Sequence, residues 1–126
     1  MRGRKPTNAE LAILRVLWRQ GPSTVRQVHQ GLERGEAVGY TTVLKLLQIM
    51  VEKGLVRRDA SSRSHVYTPR TSEGATQRRL VQELLERAFS GSALGLVMQA
   101  LSAKPPSASE LQQLRDLLDG MNGGEG

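Results

Sequence analysis

The sequence predicts a mostly helical chain with one small β-hairpin, on three observations. Leu, Val and Ile recur at helical spacing through most of its length, and short alternating segments flank a serine-rich turn near residues 58–64. Charge is also divided between the two ends. Residues 1–70 carry 13 Lys and Arg against 5 Asp and Glu, a net +8, while residues 71–126 carry 5 against 7, a net −2. Together they give the +6 of the 126-residue chain. A basic segment joined to a mildly acidic one implies two jobs, of which the first is to meet a polyanion.

The first helix is expected from Thr7-Asn8-Ala9-Glu10, a capping box, with Leu11, Leu14, Leu17 and Trp18 behind it and Gly21-Pro22 as its stop. A second capping box, Thr24-Val25-Arg26-Gln27, opens a helix striped by Val25, Val28 and Leu32, with Gly35 as its stop. The third helix runs from about Thr41 to Lys53, buries Val43, Leu46, Leu47 and Met50, and is capped by Gly54. The hairpin follows: a strand Leu55-Val56-Arg57, the turn Arg58 to Ser64, and a strand His65-Val66-Tyr67-Thr68 that stops at Pro69. The remainder reads as helix. Leu80, Val81, Leu84, Leu85, Ala88 and Phe89 form one stripe, ended by Gly91, and Leu94, Val97, Met98 and Leu101 form another, ended by Pro105-Pro106. A third capping box, Ser107-Ala108-Ser109-Glu110, opens a helix striped by Leu111, Leu114, Leu117, Leu118 and Met121, with residues 123–126 as a frayed tail.

This order, helix, turn, helix, loop, helix and two-stranded ribbon within about 65 residues, is that of a winged helix-turn-helix domain at 1–70. A helical dimerisation region follows at 71–126. In such domains the third helix enters the DNA major groove, which is about 12 Å wide and admits one helix. The outer face of the helix here offers Thr41, Thr42, Lys45, Gln48 and Ile49, with one acid, Glu52, near its end. The threonine hydroxyls can bond a phosphate or a base edge, Lys45 can donate to guanine or phosphate, and Gln48 can pair with adenine. Ile49 is either a lone surface apolar residue or a contact for a thymine methyl. Free amides at the N-terminus of this helix suit a phosphate. Arg57, Arg58 and Arg63 of the hairpin are read as DNA backbone contacts, which fix register more than sequence. Arg2, Arg4 and Lys5 form a basic arm, either a groove contact or an ordinary loose terminus. Trp18 and Tyr67 are read as core, and Tyr40 as a packing residue or a phosphate-contacting hydroxyl.

Several function classes find no support. The chain has no cysteine, which excludes disulfides, cysteine-ligated zinc and thiolate chemistry. His29 and His65 lie in different elements without paired ligand spacing, so no metal and no cofactor are expected. There is no nucleophile elbow, phosphate-binding glycine loop or close carboxylate pair, and Glu33 and Glu36 read as solvated, so an enzyme is not expected. No signal-peptide pattern follows the first residues, and no apolar run approaches the ~20 residues of a membrane span. The expectation is a cytoplasmic protein without a membrane partner.

Five stretches carry a family resemblance: Asn8-Ala9-Glu10-Leu11-Ala12-Ile13-Leu14 with Leu17-Trp18; Ser23-Thr24-Val25-Arg26-Gln27-Val28; Tyr40-Thr41-Thr42-Val43-Leu44-Lys45-Leu46-Leu47; Glu52-Lys53-Gly54-Leu55-Val56; and Val66-Tyr67-Thr68-Pro69. With Ser109-Glu110-Leu111 through Leu117-Leu118, they resemble the penicillinase-repressor family, which includes the methicillin-resistance and copper-operon repressors, over residues 5–120. The resemblance implies a homodimer on a palindromic operator in double-stranded DNA, with Thr41, Thr42 and Lys45 where operator contacts cluster. A basic residue is usual in the family where this chain has Ile49. The resemblance also implies a sensor protease as a partner. The Asn-Phe bond cut in the β-lactam systems falls here at Gln99-Ala100 and is absent, as are the paired cysteines of the copper-responsive members. The inducing signal therefore stays open.

The stripes after residue 71 are too few for a large core of their own, so pairing with a second copy is the economical way to cover them. The residues expected at that interface are Leu80, Leu84, Leu85, Phe89, Leu94, Val97, Leu101, Leu114 and Leu118. Two groove helices about one DNA turn apart, ~34 Å, would then read a two-fold site. Two rivals remain: a ligand-sensing winged-helix regulator, which needs a lined pocket, and a winged helix used for protein contact, which predicts an apolar or acidic third-helix face.

Overall fold

The first two helices begin where a threonine side chain takes the place of a missing helical partner. The computed structural model describes residues 5–33 and 38–123. The Arg2 and Arg4 of the basic arm, the Gly35 stop, Glu36 and the tail residues 124–126 lie outside the described residues. Helix α1 (Asn8–Gln20) starts at the Thr7 box, where the Glu10 amide donates to Thr7 Oγ1 at 3.2 Å and the Thr7 amide donates to Glu10 Oε1 at 2.9 Å. It stops at Gly21, whose φ of 87° suits a residue without a Cβ. Strand β1 (Ser23–Thr24) leads directly into α2 (Val25–Gly31), opened by the reciprocal bonds of Thr24 and Gln27. Helix α3 (Tyr40–Lys53) ends on Gly54 in the left-handed region at φ 80°, which turns the chain so that the Leu55 amide donates to Met50 O at 2.9 Å.

Strands β2 (Val56–Asp59) and β3 (Val66–Pro69) form the hairpin, and β1 pairs antiparallel with the other edge of β3, giving the order β1-β3-β2. The predicted hairpin is therefore part of a three-stranded sheet. Its first strand is shifted, because Leu55 is used to close the αL turn and pairing starts at Val56, opposite Pro69. His65 precedes β3 rather than opening it. Helix α2 ends at Gly31, earlier than predicted, yet Leu32 still packs on the core.

One apolar core joins these elements. Leu14, Val28, Val43, Leu47 and Met50 are fully buried, with Ile13, Leu17, Val56 and Tyr67 almost so. Burying one such side chain contributes about 1.5–3 kcal/mol. Trp18 is only half-buried, because its indole Nε1 reaches out to donate to Thr71 O at 3.0 Å.

The chain divides into two units, Met1–Arg79 and Leu80–Gly126. Helix α4 (Glu73–Ala88) starts well before the stripe that predicted it, because the Ala75 amide donates to Ser72 Oγ at 3.0 Å in the pattern of an N-cap. A turn at Ser90 and Gly91, both at positive φ, leads to α5 (Ala93–Ala103), capped by Ser92. Helix α6 (Ala108–Gly123) opens with the bonds predicted between Ser107 and Glu110 and includes Gly123, which the sequence reading placed in the tail. Neither α5 nor α6 has a buried residue.

Candidate nucleic-acid interface

The burial of Val43, Leu47 and Met50 settles which face of α3 looks outward. Thr41, Lys45, Gln48 and Glu52 recur at i, i+4, i+7 and i+11, which places them on one stripe opposite the core. All four are exposed. Thr42 and Ile49, seven residues apart, form an exposed flanking stripe. Every residue predicted on this face is thus presented together on one 14-residue helix.

At the front of α3 the N-cap is Gly39, which offers no side-chain cap. Helix geometry leaves the first amides without intrahelical partners, and they point along the positive end of the helix dipole. Tyr40 is half-exposed there, its ring edge-on to His29 of α2 with centroids 6.1 Å apart.

The register of the ribbon separates the arginines that the sequence grouped. Arg58 pairs with the buried Tyr67, whereas Arg57 pairs with Thr68, so the two point to opposite faces. Asp59 shares the face of Arg57. Its carboxyl is held below the usual carboxylate value by the amide and hydroxyl of Ser61, with Arg57 adding a smaller attraction. The Ser61 amide donates to Asp59 Oδ1 at 2.9 Å and tightens the turn that carries Arg63.

A cleft of about 360 Å³ lies between α2, the front of α3 and the ribbon. Arg26, Tyr40, Leu44, Arg63, His65 and Tyr67 line it. From sequence alone, Arg26 has no role beyond the second capping box and His65 none beyond the second strand. One signal was available: Arg26 is a cation in the first turn of α2, where the helix dipole favours an anion.

The interface residues expected in the second unit are half-buried or exposed. Leu84, Leu94, Val97 and Leu118 are exposed, while Leu80, Leu85, Phe89, Leu101 and Leu114 are intermediate. Leu94 has 70% of its surface open to solvent and Met121 62%. A groove of about 540 Å³ between α5 and α6 is lined by Leu101, Pro106, Leu114, Leu117, Lys104 and Glu110 among others. Among the described residues there is no group of three or more His, Cys, Asp or Glu that could hold a metal ion, and no helix is long and apolar enough to cross a membrane.

Comparison with known proteins adds family to geometry. The family described as penicillinase repressor matches residues 6–120. The transcriptional regulator BlaI of Mycobacterium tuberculosis is 43% identical over 61 residues, which span 48% of this chain and 44% of that protein. The matched stretch is thus under half the length of that relative. The penicillinase repressor of Bacillus licheniformis is 23% identical over 113 residues, covering 90% of this chain and 88% of that protein. The solution structure of the DNA-binding domain of the repressor BlaI is similar in fold, with a TM-score of 0.50 at 24% identity over 58% of this chain and 90% of that one. The fold is a winged helix.

Proposed function

This chain belongs to the penicillinase repressor family, and on that premise we propose that it is a transcriptional repressor that occupies operator DNA as a homodimer. The observation that carries the proposal is the outer face of α3, where Thr41, Thr42, Lys45, Gln48 and Ile49 stand exposed on a rigid helix with an uncapped, electropositive front. A rigid rod of this width carrying hydroxyls, an amide and one ammonium suits the edges of base pairs in a major groove. Arg58 and Arg63 supply DNA backbone contacts from the ribbon, and Arg57 does so more weakly because it also faces Asp59. The second unit supplies the dimer contact through Leu80, Leu84, Leu85, Phe89, Leu94, Val97, Leu101, Leu114 and Leu118. A two-fold protein then reads a two-fold site.

The protein is on this reading a binder and not a catalyst, working in the cytoplasm with no membrane partner. Family membership supports a sensor protease as inactivating partner, and the Asn-Phe bond cut in the β-lactam systems is absent from this sequence.

The test is duplex binding by the full chain, using DNA from upstream of its own gene. Specific binding that weakens steadily with salt is expected, because displaced counterions return to the DNA. Absence of binding at low salt overturns the proposal. A second reading, a ligand-sensing regulator, has one observation in its favour: the α5–α6 groove is within the size range of small-molecule sites. The same apolar residues serve the dimer, and a dimer that persists without ligand favours the first reading.

A further inference from the structure

The cleft beneath the ribbon holds an unusual combination of groups. Tyr67 is 1% exposed, with its ring in the core, yet its hydroxyl has no hydrogen-bond partner among the described residues. No buried side-chain polar atom there is left unpaired, so the Tyr67 hydroxyl is the part of the residue that reaches the open cleft. A core tyrosine usually satisfies its hydroxyl inside the protein. This one saves a donor for something outside.

The other polar groups around the same space are also unspent. Arg26, Arg63 and His65 line the cleft, and none of them makes a hydrogen bond or ion pair among the described residues. Among the described residues no acidic side chain lines it. Two fixed cations, an imidazole and a neutral hydroxyl donor converging on one cleft make a site for a small oxyanion with several acceptor oxygens. The uncapped front of α3 lies beside it through Tyr40, adding positive potential.

We propose that this cleft is a phosphate clamp, in which Arg26 and Arg63 grip one phosphate group from α2 and from the ribbon while the Tyr67 hydroxyl donates to it from below. The phosphate is one of the DNA backbone, next to the groove that α3 enters, so the inference rests on the repressor reading above. His65 adds a further donor. The clamp ties the ribbon to α2 across the front of α3, and it places the recognition helix at a set depth.

Full-length protein with Tyr67→Phe and with Arg26→Gln tests it. Phenylalanine keeps the ring in the core, and Arg26 is exposed, so both variants should fold. Tyr67→Phe should bind upstream duplex roughly tenfold more weakly at an unchanged salt dependence, since a neutral donor to a charged acceptor is lost. Arg26→Gln should also bind more weakly, with the slope of log K against log salt smaller by less than the ~0.9 of a whole phosphate, because Arg63 still holds the same phosphate. Replacing one backbone linkage per half-site by an uncharged methylphosphonate should abolish the difference between Tyr67→Phe and the parent. Both variants binding like the parent would overturn the clamp. Inorganic phosphate titrated into DNA-free protein should shift the NMR signals of His65 and Tyr67 in the parent and not in Arg26→Gln. If the parent binds no DNA, the repressor reading falls, and this titration alone decides the cleft, with no shift counting against it. Shifts with phosphate while both variants bind DNA normally would give the cleft to a free phosphate-bearing molecule and overturn its assignment to the DNA backbone.

Discussion

Lys53 Nζ lies 2.6 Å from Glu10 Oε1, joining the last residue of α3 to the first turn of α1 across 43 positions of sequence. The Glu10 side chain is 3% exposed and that of Lys53 14%. The same Lys53 also donates to Lys5 O at 3.5 Å, so one ammonium holds the end of α3 against the start of the described chain. Each charge also sits at the favourable end of its own helix, the acid at an N-terminus and the base at a C-terminus.

Removing the carboxylate leaves a largely buried ammonium without its partner. Glu10→Ala should therefore cost about 2–4 kcal/mol in urea unfolding, near the lower end of the ~3–5 kcal/mol seen for a fully buried pair, because Lys53 keeps some exposure. Glu10→Gln should cost less by about 1 kcal/mol, since an amide oxygen can still accept from the Thr7 amide and keep the cap. Equal loss in the two variants would mean that the cap contributes nothing.

These bonds show what the sequence can and cannot reveal. The pairs Thr7–Glu10, Thr24–Gln27 and Ser107–Glu110 were legible because the bonds of each motif lie within four residues. The bonds accepted by Ser72 and Ser92 were missed, because Ala75 and Gly95 stand where a reciprocal Glu or Gln would complete the motif. Glu10 read as a cap and nothing more, since its second partner is a tertiary neighbour. Strand β1 has two residues and no periodicity, and it exists only because Ser23 finds Tyr67 across the sheet. The outer face of α3 was readable from its apolar stripe alone. The ribbon was not, because placing Arg57 and Arg58 on different faces depends on register, and register is fixed by the αL turn at Gly54 and by the partner strand.

Gly54 is the point at which that register is set. At φ 80° an added Cβ meets no neighbouring atom, so the effect of Gly54→Ala is conformational and not steric crowding by other residues. We expect a loss of about 1–2 kcal/mol. Asn, which tolerates the left-handed region better, should lose less. Thermal unfolding followed by the fluorescence of Trp18, the one tryptophan of the chain, checks both. An unchanged midpoint in Gly54→Ala would show that the turn relaxes without cost.

The turn of the ribbon should respond to acid. The Asp59 carboxyl is depressed in the folded chain, first by the Ser61 amide, then by its hydroxyl and by Arg57. A depressed folded value means that the ionised form favours the native turn. That contribution is complete above the unfolded value of about 3.9 and is lost as pH falls through the lower folded value. The Ser61 amide resonance should therefore hold steady from neutral pH to about 4 and move only below it. Asp59→Asn should abolish that movement. A Ser61 amide in the parent that titrates at or above the ordinary carboxylate value would contradict the bond at 2.9 Å.

The second unit offers the most direct check on assembly. Leu94 on α5 and Leu118 on α6 are 70% and 57% exposed in the single chain, alongside Met98, Leu117 and Met121. So much open apolar surface on two neighbouring helices is a site awaiting cover. If a second copy covers it, a carboxylate there must be desolvated without a partner, which an interface does not tolerate. Leu94→Glu and Leu118→Glu should each convert a dimer to a monomer in light scattering. Trp18 lies in the other unit, so its fluorescence should stay unchanged and report that the first unit is intact. Affinity for a two-half-site duplex should then fall on the order of 100-fold or more, because the second half-site contact is no longer intramolecular, while affinity for an isolated half-site should hold. A parent chain that is monomeric at micromolar concentration would overturn the dimer, and a Leu118→Glu variant that remains dimeric would move the interface away from these helices.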